Sequence, residues 1–240
     1  AAETRKGQVP MSHQTVFPGR RPGAPPVSAA VLVAHGGRSQ STALVTPYQP
    51  AVLRMIPLAA AIRRALPGDA TVVNRPLYRL RGWNGELASP VADLTEALDQ
   101  LGERFGPIPL VLVGHSMGAR AAMRVAGHPQ VTAIAGLAPW LPPGEPVEQL
   151  AGRRVLVAQA TGDRITRPAD TWAFAERAAA VTTMATVEVR NSEHAMLRRA
   201  PAWNRIATEF VRLALDLPAG DTMVGDAFRA AETGAPRPVV

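Results

Sequence analysis

The 240-residue chain is predicted to fold as an α/β protein, with helices on both faces of a mostly parallel central sheet. Short apolar runs alternate with longer segments of helical periodicity, as strands and helices do when right-handed crossovers join parallel strands. The run at residues 109–113 is apolar throughout, which is typical of a strand that is covered on both faces. These two observations predict a doubly covered sheet.

The alternation predicts six strands and five main helices, in order along the chain. The strands are expected at residues 27–34, 70–75, 109–113, 131–137, 154–160 and 186–190. The helices are expected at residues 50–66, 89–105, 116–126, 168–180 and 201–217. Local signals support these limits: Ser89 is a favourable N-cap residue, Pro90 suits the first helical position, and Gly106 followed by Pro107 ends that helix.

One catalytic domain is expected over residues 27–217. A flexible segment, residues 1–26, precedes it, and a short helix with a loose tail, residues 218–240, follows it. Met11 is a possible natural start, which leaves the origin of residues 1–10 open. We find no signal peptide and no apolar run long enough to span a membrane, so the expectation is a cytoplasmic protein without a membrane partner.

The composition excludes several kinds of site. The chain has no cysteine, which rules out disulfides, thiolate metal sites and a cysteine nucleophile. The formal net charge is +7, and Lys6 is the only lysine. Because Ala, Arg, Pro and Gly are all frequent and all have GC-rich codons, codon bias accounts for the arginine excess, and no nucleic-acid partner is expected.

The clearest motif is Gly114-His115-Ser116-Met117-Gly118, at the junction of a predicted apolar strand and a helix. In this context the motif forms a nucleophile elbow, a sharp turn that projects the serine oxygen above the sheet. Glycine at positions 114 and 118 avoids clashes with the neighbouring strand and helix. The N–H of Met117, at the start of the helix, is expected to donate to an oxyanion.

A second oxyanion donor is expected from the loop His35-Gly36-Gly37-Arg38, which follows the first strand. Small residues in this loop allow a substrate to approach the backbone. Gly37 is the preferred donor and Gly36 is the alternative. His35 precedes the serine in the chain, and we interpret it as a structural hydrogen-bonding residue beneath the loop.

A serine hydroxyl is a weak nucleophile unless a base removes its proton. His194 is the predicted base, because it follows the last strand and precedes an amphipathic helix, where ligands approach an open α/β sheet. The other four histidines lie in less suitable places: His13, His35, His115 and His128.

Asp163 is the predicted acid that orients the base. It follows the strand at 154–160 and precedes His194 by 31 residues, which leaves room for one helix and one strand. Asp170 is the rival, but it falls inside a predicted helix. Glu193 is adjacent to the histidine and cannot easily face its ring.

Together these motifs resemble the α/β-hydrolase superfamily over residues 27–217, with Ser116, Asp163 and His194 in the order of that family's triad. The resemblance implies an eight-stranded core, of which the family's first two antiparallel strands are not visible here. The family often carries a cap domain after the strand that corresponds to 131–137. Here only residues 138–153 occupy that place, so a lidless form is expected.

The resemblance implies a serine hydrolase that cleaves a carboxylic ester or similar acyl bond of a small molecule, without a metal or organic cofactor. A thioesterase or acyltransferase of a biosynthetic pathway is the alternative, and a non-catalytic binding protein on the same fold is the less favoured one. The oligomeric state stays open. The expected substrate contacts are Arg38, Tyr78, Trp83 and Trp140.

Overall fold

The computed structural model describes residues 23–218, 220–235 and 237–240. Its sheet has six strands: β1 (Ala29–Ala34), β2 (Thr71–Asn74), β3 (Leu110–His115), β4 (Val131–Leu137), β5 (Arg154–Ala160) and β6 (Thr183–Val189). The strand order is β2-β1-β3-β4-β5-β6, and every pair of neighbours is parallel. The predicted fold class is therefore confirmed. Most of the predicted flexible segment lies outside the described residues.

Seven helices surround the sheet in this part of the chain: α1 (Pro50–Leu53), α2 (Met55–Ala65), α3 (Ser89–Phe105), α4 (Met117–Arg124), α5 (Pro168–Ala178), α6 (Ala200–Ala214) and α7 (Met223–Thr233). The helix expected at 50–66 is thus two helices that meet at Arg54. Pro57 explains the break, because it has no N–H to donate to the carbonyl of Leu53. The predicted cap Ser89 is the first helical residue, and Ala88 occupies the cap position.

Two apolar layers hold the helices against the sheet. Alternate residues of each strand face opposite layers: in β1, Leu32 points into one layer and Val33 into the other. The first layer joins the sheet to α3, α4 and α5, and the second joins it to α2, α6 and α7. Burial on both faces explains why the strands read as continuous apolar runs.

The C-terminal segment is part of this core rather than an appendage. Val224 and Phe228 of α7 are buried in the second layer, and the Phe228 ring stacks on Phe210 of α6. The expected loose tail instead pairs with the edge of β6: the N–H of Glu188 donates to the Pro238 carbonyl, and the N–H of Val240 donates to the Glu188 carbonyl. Backbone hydrogen bonds of this kind cover one open edge of the sheet.

No helix within the described residues is both long enough and apolar enough to cross a membrane. The connection from β4 to β5 contains a single 3-10 turn, Glu148–Leu150, so this connection carries no helical cap.

Candidate active site

Ser116 lies in the sharp turn between β3 and α4, with φ +55° and ψ −117°. This conformation is rare for a residue with a side chain. The flanking glycines have no room for one. A Cβ on Gly114 would lie 2.5 Å from the backbone N of Ala119, and a Cβ on Gly118 would lie 2.5 Å from the carbonyl oxygen of Ala34. The turn therefore has the steric requirements of the predicted nucleophile elbow.

The three predicted catalytic side chains form one hydrogen-bonded chain. Ser116 Oγ lies 3.0 Å from His194 Nε2, and His194 Nδ1 lies 2.8 Å from Asp163 Oδ2. The residues come from the turns after β3, β6 and β5, which meet at the carboxyl edge of the sheet. The geometry allows the imidazole to accept the serine proton while its other nitrogen donates to the carboxylate.

The Asp163 carboxylate is held by donors that we did not predict from the sequence. Oδ1 accepts the backbone N–H groups of Ile165 and Thr166, and Oδ2 accepts from Thr166 Oγ1 and Gln159 Nε2. Burial alone would raise the pKa of Asp163, but the hydrogen bonds from His194 and Thr166 outweigh it and lower the pKa to about 2. The carboxylate thus stays ionised beside the imidazole. The rival Asp170 lies in α5.

Backbone contacts fix the loop of His194 to the loop of Asp163. The N–H of Gly162 donates to the carbonyl of Ser192 at 3.1 Å, and a Cβ on Gly162 would lie only 2.6 Å from that oxygen. Ser192 Oγ accepts from the buried Trp203 indole N–H at 2.9 Å and donates to the Arg198 carbonyl at 3.0 Å. These contacts set the distance between the two loops.

His115 has a positioning contact that sequence reasoning missed. Its Nε2–H donates to the backbone carbonyl of His194 at 2.9 Å, across a separation of 79 residues. Burial lowers the pKa of His115 to about 3, so the ring is neutral. The neutral ring ties the elbow to the loop that carries His194.

The glycine loop lies directly against the elbow. A Cβ on Gly36 would lie 3.4 Å from Ser116 Cβ, and a Cβ on Gly37 would lie 2.7 Å from Met117 Sδ. Gly37 is exposed, as an oxyanion donor must be. Because Met117 is the first residue of α4, its N–H has no intrahelical acceptor. The glycine loop is thus in close contact with Ser116 and with the first residue of α4.

His35 and Tyr78 support the glycine loop from below. His35 is buried, its Nδ1 lies 2.7 Å from the Gly36 carbonyl, and its Nε2 accepts the Tyr78 backbone N–H at 3.3 Å. Burial lowers the pKa of His35 to about 4, which keeps the ring neutral. These contacts agree with its interpretation as a structural residue. Tyr78, expected as a substrate contact, is fully buried with its ring 4.4 Å from that of His35, so it presents no surface to a ligand.

A groove of about 590 Å³ opens beside the glycine loop. Trp83 and Trp140 line it, and their rings meet edge to face at 6.0 Å. The guanidinium of Arg120, four residues after the serine, lies 3.9 Å from the Trp83 ring and 4.6 Å from the Trp140 ring. Its Nε donates to the buried carboxylate of Glu145 at 2.7 Å. The sequence had indicated the two tryptophans but not the arginine between them.

Arg38 is exposed at the outer end of the glycine loop, and its backbone N–H donates to the Arg81 carbonyl at 2.8 Å. Its guanidinium is not among the residues that line the groove. Within the described residues, no group of three or more His, Cys, Asp or Glu side chains is placed to hold a metal ion.

A family model described as the alpha/beta hydrolase family matches residues 30–239. No curated protein sequence matches the chain. Among solved structures, an a/b serine hydrolase without a lid from Xanthomonas campestris is similar at 20% identity, with a TM-score of 0.59, over 85% of this chain and 88% of that one.

Two further structures show the same likeness of fold. An alpha-beta serine hydrolase homologue from Coxiella burnetii has 16% identity and a TM-score of 0.59, over 82% of this chain and 97% of that one. A monoacylglycerol lipase from Paleococcus ferrophilus has 15% identity and a TM-score of 0.56, over 79% of this chain and 96% of that one.

Proposed function

Because the chain belongs to the alpha/beta hydrolase family, we propose that it is a serine hydrolase that cleaves a carboxylic ester or a similar acyl bond of a small molecule. One observation carries the proposal: the continuous hydrogen-bonded chain from Ser116 Oγ through His194 to Asp163, with spacings of 3.0 and 2.8 Å. A non-catalytic protein with this fold would not require all three side chains within hydrogen-bonding distance of one another.

In the proposed reaction, His194 Nε2 takes the proton of Ser116 as Oγ attacks the carbonyl carbon of the substrate. The carbonyl oxygen becomes an oxyanion, and the tetrahedral intermediate then expels the leaving group. The imidazolium returns its proton to that leaving group, and an ester on Ser116 remains. Water, deprotonated by the same imidazole, attacks this ester and releases the acid.

The oxyanion is assigned to the backbone N–H groups of Met117 and Gly37. The first lies at the N-terminus of α4, where the helix dipole favours negative charge. Donors fixed before the reaction begins need no reorganisation as charge develops, and each contributes on the order of 3 kcal/mol to the lowering of the barrier. Asp163 stabilises the imidazolium and selects its tautomer without taking the proton itself.

The groove lined by Trp83 and Trp140 is the proposed binding region for the apolar part of the substrate. The partly exposed Trp140 ring supplies apolar area there, and Trp83 lies behind it, buried and packed against Arg120. Arg38 is the proposed outer contact for a polar part of the substrate, because its side chain is exposed at the end of that loop. Tyr78 is omitted, because it is buried.

Labelling with a fluorophosphonate tests the proposed nucleophile. The wild-type chain should label stoichiometrically, Ser116→Ala should not label, and Ser28→Ala, at the opposite edge of the sheet, should label like the wild type. Absence of labelling in the folded wild-type chain would contradict the proposal. Values of kcat/KM are then compared over a panel of short and long acyl esters, acyl thioesters and amides. The class with the highest kcat/KM shows whether the enzyme is an esterase or a thioesterase.

A further inference from the structure

The large apolar side chains on the surface are concentrated at one edge of the sheet. Eight are exposed in the described part of the chain, and seven of them lie on segments that leave the carboxyl ends of strands. We call residues 35–56, 75–88, 161–167 and 190–199 the rim segments, because they follow the carboxyl ends of β1, β2, β5 and β6. The seven side chains are Leu44, Tyr48, Leu53, Ile56, Leu87, Ile165 and Leu197. The eighth, Val239, lies in the C-terminal tail.

The positive charge of the chain is concentrated in the same four segments. They contain ten arginines and only three carboxylate residues, whereas the rest of the chain contains sixteen basic and sixteen acidic residues. The net charge of +7 therefore comes entirely from the rim. The crossover after β4 adds Glu145 at this edge, and that carboxylate is paired with Arg120 and Arg124.

Six of the ten rim arginines have no carboxylate partner. Among the residues that the structure describes, no acidic side chain lies within 4.0 Å of these six: Arg38, Arg54, Arg75, Arg81, Arg164 and Arg199. Some of the others are neutralised; Arg79, for example, pairs with Asp93. Four of the six unpaired side chains are exposed and thus available to an anionic partner: Arg38, Arg75, Arg164 and Arg199.

We propose that this rim is a docking surface for an anionic lipid bilayer, on which the protein adsorbs with its Ser116 face toward the membrane. Apolar side chains that alternate with arginines on one face suit an interface whose headgroups are negative and whose interior is apolar. Adsorption needs no membrane-spanning helix. It also needs no movement of a cap domain after β4, because the connection from β4 to β5 contains only a 3-10 turn.

The exposed apolar residues favour a lipid surface over a nucleic acid. Phosphate recognition requires the arginines but gives no role to Leu197, 71% exposed, or Ile165, 73% exposed, each of which is followed in sequence by an arginine within two residues. Insertion of such side chains below the headgroups removes them from water, while the arginines remain at phosphate level. The arginine excess thus acquires a physical role beyond codon usage.

Vesicle co-sedimentation of the full chain tests this surface. The Ser116→Ala variant is used as background, so that binding is measured without turnover and independently of the proposed hydrolysis. It should sediment with vesicles of equal parts phosphatidylglycerol and phosphatidylcholine and not with vesicles of phosphatidylcholine alone. Binding should weaken as salt is added.

Two double variants separate the contribution of the arginines to vesicle binding from that of the apolar side chains. Arg75→Gln with Arg164→Gln should weaken binding roughly fivefold for each arginine removed, and Tyr48→Ser with Leu197→Ser should weaken it by about tenfold or more in total. Arg63→Gln with Arg64→Gln is the matched control: it removes the same charge at the end of α2, on the opposite edge of the sheet, and should leave binding unchanged.

Three results would overturn the docking surface: equal sedimentation with both kinds of vesicle, equal loss of binding in the control double variant, or retention on single-stranded DNA without retention on vesicles. None of these results bears on hydrolysis, which fluorophosphonate labelling of the wild-type chain tests separately.

Discussion

Asp163 receives hydrogen bonds on both carboxylate oxygens and remains ionised well below neutral pH. An amide at this position can accept from some of these donors, but it presents an N–H group as well as an oxygen and carries no charge. The imidazole of His194 would then lose its tautomer control and the partner that stabilises its cation.

We therefore expect Asp163→Asn to lower kcat by about 10³ to 10⁴-fold with little change in KM. Steady-state kinetics on the best substrate of the panel measures this. The matched control is Asp170→Asn, in which a half-buried helical carboxylate is neutralised; it should retain near wild-type kcat. Full activity of Asp163→Asn together with loss in Asp170→Asn would reassign the acid.

Local motifs were sufficient to predict Ser116, Asp163 and His194 as one site, because each follows a recognisable apolar strand, and the structure brings the three side chains within hydrogen-bonding distance. Residues that act through long-range contacts left no such signal. His115 bonds a carbonyl 79 residues away, and Arg120 lies between two tryptophans from separate crossovers. These contacts join residues that are far apart in the sequence, so no hydrophobic periodicity or local motif predicts them.

At the level of elements, the close approach of β1 to α4 positions the glycine loop against the elbow. Gly118 makes this approach possible, since a Cβ there would meet the carbonyl oxygens of Ala34 and His35 at 2.5 Å. Backbone atoms at a strand end cannot move aside as a flexible side chain can. The helix would have to shift away from the strand, and the two proposed oxyanion donors, Met117 and Gly37, would separate.

Gly118→Ala should therefore destabilise the fold by about 1–3 kcal/mol and reduce kcat in the fraction that still folds. Urea unfolding and kinetics on the same preparation measure both effects. Gly127→Ala is the control, because a Cβ there meets only Gln149 Cβ at 3.7 Å, an ordinary contact. Equal stability of the two variants would show that the approach of β1 to α4 is not the constraint.

Helices and strands were predicted well where the regular hydrophobic pattern continued over many residues. Helix α3 was predicted with its observed limits, and so were strands β4 and β5. The exceptions have physical reasons. Pro57 divides the helix expected at 50–66. The tail at 238–240 forms strand-like pairs through its backbone, and its side chains carry no alternation that predicts this.

For the whole molecule, the buried histidines link stability to pH. Burial holds the pKa of His35 at about 4, against 6.5 for a free histidine, and that of His115 at about 3. Between the pKa of a free histidine and the pKa of each buried histidine, the unfolded chain binds a proton that the folded chain does not. The stability that these neutral rings contribute is complete above pH 6.5 and is lost as the pH falls toward the folded pKa values.

The free energy of unfolding of the wild type should thus decline on acidification from about pH 6.5. His35→Gln should show a shallower decline, by up to about 1.4 kcal/mol per pH unit between about pH 6 and pH 4. Urea unfolding at a series of pH values measures the two slopes. Above about pH 7.5 the slopes should coincide, and a difference that persists there would point to a cause other than His35.

The pairing of residues 238–240 with β6 has a practical consequence for anyone who produces the protein. The N–H groups of Val240 and Arg190 and the carbonyls of Glu188 and Val240 close the sheet against other chains. Proteolytic loss of residues 238–240 would expose an unpaired parallel edge next to β6, the kind of surface through which copies of a chain associate. Proteolysis within this segment would therefore lower the solubility of the preparation.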